Sequence, residues 1–117
     1  MAREQLQTLT EPMYYILMAL LKERCGVDIM EAVLEISNGR VKVGPGTLYA
    51  LLGKFEKENI IMETEVQGRK RSYIITDKGK EILVEEYKRL VTMVNDGLSN
   101  MEGELWEIKK LLFFFMK

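Results

Sequence analysis

Two clusters in this 117-residue chain place small, hydroxylated and cationic residues at spacings suited to a polyphosphate surface. The first is Gly44-Pro45-Gly46-Thr47-Leu48-Tyr49, with Lys54 two helical turns beyond Thr47. Pro45 suits the first position of a helix, and the unpaired backbone N–H groups at a helix start can meet a phosphate. Thr47, Tyr49 and Lys54 supply a hydroxyl, a ring and an ammonium that can reach base edges or backbone oxygens. The second cluster is Gly68-Arg69-Lys70-Arg71, three consecutive cations after a glycine. A charge run at a turn is what solvation alone also produces. It gains meaning from following the first cluster, where such a tip would meet a nucleic-acid backbone or minor groove.

Other chemistries lack their residues. The chain has no histidine, which removes the commonest general base and metal ligand. Its single cysteine, Cys25, cannot build a zinc site or an intrachain disulfide. Gly44-x-Gly46 is followed by Tyr49 rather than the third glycine of a dinucleotide fingerprint. Gly53-Lys54 has Leu48 where a phosphate-binding loop needs glycine. The carboxylates lie among lysines on predicted helix surfaces, the solvated pattern. No enzyme, metal or cofactor is therefore expected.

The composition, 47% hydrophobic and 30% charged, is that of one folded domain. A net charge of −1 weighs against a nucleic-acid partner, but its distribution does not. From Arg40 to Ser72 seven basic residues face four acidic ones, a net +3, and the remainder of the chain carries −4. No apolar run is long enough to span a bilayer and the first residues are polar, so a cytoplasmic protein without a membrane partner is expected.

These residues need elements to hold them. Thr10-Glu11-Pro12 reads as a helix start, with Met13, Ile16, Leu17, Leu20 and Leu21 at helical spacing and an end at Cys25-Gly26. A second helix is expected from Asp28, as its cap, with Ile29, Val33 and Ile36 on one face and an exit at Ser37-Asn38-Gly39. Val41-Lys42-Val43 alternates like a short strand. The third helix runs from Pro45 to about Glu58, with Leu48, Leu51, Leu52 and Phe55 as its apolar stripe. Ile60–Val66 and Ser72–Thr76 read as a hairpin around a Gln67–Arg71 tip. Asp77-Lys78-Gly79 opens a long helix, Asp96-Gly97 is a turn signal, and a last helix ends at Phe113-Phe114-Phe115. Three helices and then a hairpin is the order of a winged helix-turn-helix. The expected class is mainly α with a small β-hairpin (α+β), and a C-terminal helical dimerisation arm.

The third helix carries Gly46, Ala50, Gly53 and Lys57 opposite its core stripe. Gly53 on an exposed face costs roughly 1 kcal/mol against alanine, which suggests a surface kept smooth for a major groove. Close packing of another helix on Gly53 is the competing explanation. Tyr49 is equally well placed to be a half-buried packing residue.

Gly44 to Tyr49 resembles the opening of the recognition helix in the PadR family of transcriptional regulators. Leu9 to Leu17, Gly26-Val27-Asp28-Ile29, Phe55 to Ile61, Gly68 to Tyr73 and Thr76 to Gly79 are similar to further family segments, in order, across about residues 9 to 90. Val27 stands where an aromatic is usual, Gly44 where a capping side chain is usual and Asn59 where glycine is usual. The resemblance implies a winged-helix DNA-binding domain over 9–79 and a helical dimerisation region over 80–117. It implies a dimeric repressor on a palindromic operator in double-stranded DNA, with release by a small-molecule effector compatible with it. It assigns DNA contact to Pro45, Gly46, Thr47, Tyr49, Lys54, Arg69, Lys70 and Arg71.

The C-terminal arm has more apolar side chains than one small domain can cover. Leu83, Tyr87, Leu90, Val94, Leu98, Met101, Leu105, Trp106, Ile108 and Leu112 recur at helical spacing, and a two-fold dimer would let one patch cover itself. Folding back onto its own domain is the alternative for this arm. Trp106 falls later than the tryptophans that hold flat drugs in some PadR members, so drug binding is not carried over. The rival function is a winged-helix protein-interaction module without DNA binding, favoured by the acidic pI and by Glu56 and Glu58.

Overall fold

The computed structural model describes residues 8–101 and 105–115, without the side chains of Leu105, Trp106, Ile108 and Phe115. The elements run α1 Glu11–Ala19, β1 Arg24–Cys25, α2 Gly26–Ile36, α3 Pro45–Lys57, β2 Ile61–Gln67, β3 Lys70–Ile75, α4 Asp77–Asn100 and α5 Leu105–Phe115. The three strands form one antiparallel sheet in the order β1-β3-β2. The chain divides into two compact units, one through Glu86 and one from Tyr87. No helix among the described residues is long and apolar enough to cross a membrane.

In the first unit Ile16, Leu17 and Leu20 from α1 and its exit, Ile29 and Val33 from α2, and Leu48, Leu52 and Phe55 from α3 meet in one core. Each follows the helical spacing that buries one stripe. Ile60 just before β2, Ile61, Tyr73 and Ile75 from the sheet, and Ile82 and Leu83 from the start of α4 close the core. The Thr10 side chain caps α1 by accepting from Met13 N. Asn38 and Asn59 both take positive φ, 54° and 60°, as left-handed helix exits. Thr76 Oγ1 accepts from Gly79 N at the start of α4. A side chain at Gly79 would collide with the Ile60 carbonyl oxygen and with Ile75, so glycine lets α4 start against the sheet.

Several expected boundaries move. The first helix stops at Ala19 rather than Cys25, because the Leu20 carbonyl accepts from Ile75 N and draws the chain toward β3. Leu21 is consequently half exposed. The third strand is Arg24–Cys25, and Val41-Lys42-Val43 is not a strand. Val41 and Val43 are buried because the loop is pinned: Val41 N donates to Ser37 Oγ at 3.0 Å. Their alternation records insertion into the core rather than sheet pairing. Cys25, not Asp28, is the N-cap of α2, with Asp28 in the first turn. Ile36 is exposed at the end of α2, and Leu51 is only partly buried. The helix from Asp77 continues through Asp96-Gly97 to Asn100, since an interior glycine weakens a helix without stopping it.

Candidate nucleic-acid interface

α3 begins without a side-chain cap: Gly44 is the N-cap and Pro45 the first helical residue. The stripe Leu48, Leu52 and Phe55 is buried, which fixes the helix's rotation. The opposite side is therefore set outward, and Pro45, Gly46, Thr47, Tyr49, Ala50, Gly53, Lys54 and Lys57 are all exposed. A Cβ built on Gly46 or Gly53 meets no atom within 4 Å. Close packing therefore does not account for Gly53 among the described residues, and the outer face of α3 is open.

Tyr49 is both exposed and packed. It is 51% exposed, yet the end of its ring rests over Gly26, the first residue of α2. Beside it lies a cleft of about 460 Å³ lined by Cys25, Gly26, Val27, Asp28, Tyr49, Arg69, Lys70 and Arg71. The fold thus brings Tyr49 of α3 together with the three wing cations, twenty residues away in sequence. Pro45, Gly46, Thr47 and Lys54 do not line this cleft and belong to the exposed surface of α3.

The wing is the β2–β3 hairpin, tighter than the sequence suggested. Gln67 pairs with Lys70, leaving Gly68-Arg69 as the turn, and Gly68 takes φ 62°. Lys70 and Arg71 are strand residues at the start of β3, and both line the cleft beside Tyr49. A register shift between Glu63 and Glu65 bends β2. Arg71 is paired with Glu63 at 3.1 Å. Lys54, Arg69 and Lys70 have no ion pair among the described residues. Thr64 donates to Glu23, which ties the wing's root to the segment before β1.

The basic middle of the sequence is therefore only partly available. Arg40 pairs with Glu11 at 3.2 Å and donates to the Tyr15 hydroxyl at 2.7 Å. The hydrogen bond to Glu11, and then the Tyr15 oxygen, raise the pKa of this guanidinium further. It braces the chain after α2 against α1 instead of facing the cleft. Tyr73, beneath the wing, is raised by burial and then by Glu56 and Glu63, so it stays a neutral phenol. The Cys25 thiol is buried and donates to Asp28 Oδ2 at 3.3 Å.

Cys25, Gly26, Val27 and Asp28 are cleft residues that the sequence reading placed at helix boundaries and in a family segment, not in a binding site. Gly26-Val27-Asp28-Ile29 was visible as a motif, but nothing in its spacing shows that it faces Tyr49. Val27, in place of the usual aromatic, is 57% exposed on the cleft wall.

A helical core closed by a two-stranded wing beside an exposed third helix defines a winged-helix fold. The chain belongs to the transcriptional regulator PadR-like family, whose model matches residues 16–85, more than half of the chain. Members of this family are transcriptional regulators rather than enzymes. It is similar to a PadR-like transcription factor from Bacteroides fragilis, 27% identical, over 71% of this chain and 86% of that one, with a TM-score of 0.54. It shares its fold with RosR of H. salinarum, 23% identical, over 86% of this chain and 99% of that one, with a TM-score of 0.58. It is also 34% identical over 61 residues to an uncharacterised 37.1 kDa protein in a transposon of Streptomyces fradiae. That match takes in 52% of this chain and 17% of the transposon protein.

Proposed function

We propose that this protein is a dimeric, sequence-specific DNA-binding repressor acting in the cytoplasm. α3 enters the major groove and the wing meets the flanking backbone or minor groove. The observation that carries the reading is the open outer face of α3, flanked by a cleft that gathers Tyr49, Arg69, Lys70 and Arg71. Thr47 and Tyr49 lie near the N-terminal end of α3, the end that approaches base edges in helix-turn-helix complexes. Lys54 and the wing cations supply phosphate contacts. Release by a small-molecule effector fits this function, and its chemistry is open.

Dimerisation is supported by the apolar surface of the second unit. Tyr87, Val94, Leu98, Met101 and Leu112 are 46–63% exposed in the single chain. Leu90 is half-buried, and Leu83 is already part of the first unit's core. Leu105, Trp106 and Ile108 belong to the same proposed interface, and their side chains lie outside those described. A self-complementary patch would cover this surface and set two recognition helices at the spacing of paired half-sites.

The test is a fluorescence-anisotropy titration against DNA from upstream of the protein's own gene, beside scrambled DNA, at several salt concentrations. A preference of about 10³-fold or more, falling steeply with salt, is expected. The carboxylate of Asp28 in the cleft lining and that of Glu63 on Arg71 favour the second reading, a protein-binding winged helix. Absence of binding even at low salt would decide for it.

A further inference from the structure

We infer that Gly26, on α2, is a positioning residue for Tyr49: its missing side chain seats the recognition-helix ring and sets how Tyr49 is presented to DNA. This rests on the DNA-binding reading above. Gly26 is buried at the first position of α2, and its φ is not in the left-handed region, so the backbone itself does not demand glycine there. What demands it is the neighbour. A Cβ at this position would overlap the Tyr49 hydroxyl and lie 2.9 Å from Cζ and 3.3 Å from Cε1. All three nearest atoms belong to this one ring.

A Cβ contact below 3 Å cannot persist, so in Gly26→Ala something shifts. The obstructing atoms are the far end of a side chain with two rotatable bonds, and the ring moves at less cost than the backbone of α2 or α3. A displaced ring has room to go, since it is 51% exposed with the 460 Å³ cleft beside it. In the wild type the bare Gly26 leaves the ring its seat over the start of α2 before any DNA arrives. A side chain seated in advance loses less freedom on binding, and a contact displaced by about 1 Å loses much of its value. Gly26 touches no base itself. It acts through Tyr49, so loss of the glycine and loss of the ring must not add.

Four proteins test this: wild type, Gly26→Ala, Tyr49→Ala and the double variant. Each is titrated with the DNA duplex that the wild type prefers and with scrambled DNA, and each is melted without DNA. Gly26→Ala is expected to lose about five- to a hundredfold in affinity for the preferred duplex, the range of one good base contact. Its affinity for scrambled DNA at low salt should change by less than about twofold. In the Tyr49→Ala background the glycine substitution should cost no further affinity, because the ring it displaces is gone. Melting temperatures should show the same non-additivity, which reads the contact independently of DNA.

Wild-type affinity in Gly26→Ala overturns the inference, as does an equal loss with and without the Tyr49 ring. If Tyr49→Ala itself binds like wild type, the ring reads no base and the positioning role falls; if the wild type prefers no duplex, the recognition reading falls and the positioning role with it. Non-additive melting would then leave Gly26–Tyr49 a packing contact only. If Tyr49→Ala loses affinity while Gly26→Ala does not, the recognition reading stands and only the positioning role is lost.

Discussion

Residue types on the outer face of α3 carry different burdens, and the exposures separate them. Tyr49 and Lys54 are exposed and stand off the buried stripe of Leu48, Leu52 and Phe55. Tyr49→Ala and Lys54→Ala are therefore expected to fold normally and to weaken operator binding, Tyr49→Ala by about 1–3 kcal/mol if the ring reads a base. Anisotropy titrations beside circular dichroism check this, and wild-type affinity in both would remove α3 as the reading element. Gly53 gives a sharper test because its two expected effects have opposite signs. A Cβ there meets open space, so Gly53→Ala should raise stability by about 0.5–1 kcal/mol as an ordinary helix substitution. If the smooth face is what admits α3 to the groove, the same variant should bind the operator less well. Greater stability with unchanged affinity would show that the glycine has no part in docking.

At the scale of elements, the wing's three cations are not equivalent. Arg69 sits in the turn and Lys70 opens β3 without an ion pair among the described residues, whereas Arg71 is held by Glu63. Arg69→Ala and Lys70→Ala should each lower the slope of log affinity against log salt by about 1, as expected for one lost phosphate contact. Arg71→Ala should change it less, since part of its charge is already answered within the hairpin. Equal slope changes in all three variants would mean that the Glu63 pair opens on binding. The hairpin itself was readable from its alternation and the glycine before the cations. The third strand was not: two residues, Arg24 and Cys25, carry no periodicity, and only their pairing with Tyr73 and Ser72 makes them a strand. Val41 to Val43 erred in the other direction, because side chains inserted alternately into a core mimic a strand when only the sequence is seen.

At the scale of the whole molecule, α4 runs on through Asn100, and its apolar residues from Tyr87 onward belong to the second unit. Truncation after Asp96 removes Leu98, Met101 and all of α5. It is expected to weaken the dimer, with sedimentation moving toward monomer at micromolar concentration and operator affinity falling with it. Each fully buried side chain of this kind is worth roughly 1.5–3 kcal/mol, so loss of several should be plain. A truncated protein that stays dimeric would place the interface on the part of α4 before Asp96.

By itself the sequence determined the order of helices and hairpin, most of the buried stripe of α3, the exit of α2 at Ser37-Asn38-Gly39, and the family. All of these rest on local spacing or on residues adjacent in the chain. Only the tertiary structure decided which charges and small residues face one another. Arg40, counted among the basic residues by its position, is spent on Glu11 and Tyr15, which lie 29 and 25 residues away. Gly53, suspected of close packing, has open space over it, while Gly26, read only as a helix boundary and part of a family segment, has a tyrosine ring over it. A glycine's type says only that something approaches or that the chain must bend. What approaches is fixed by the packing of α2 against α3, a long-range outcome that no periodicity within either helix contains.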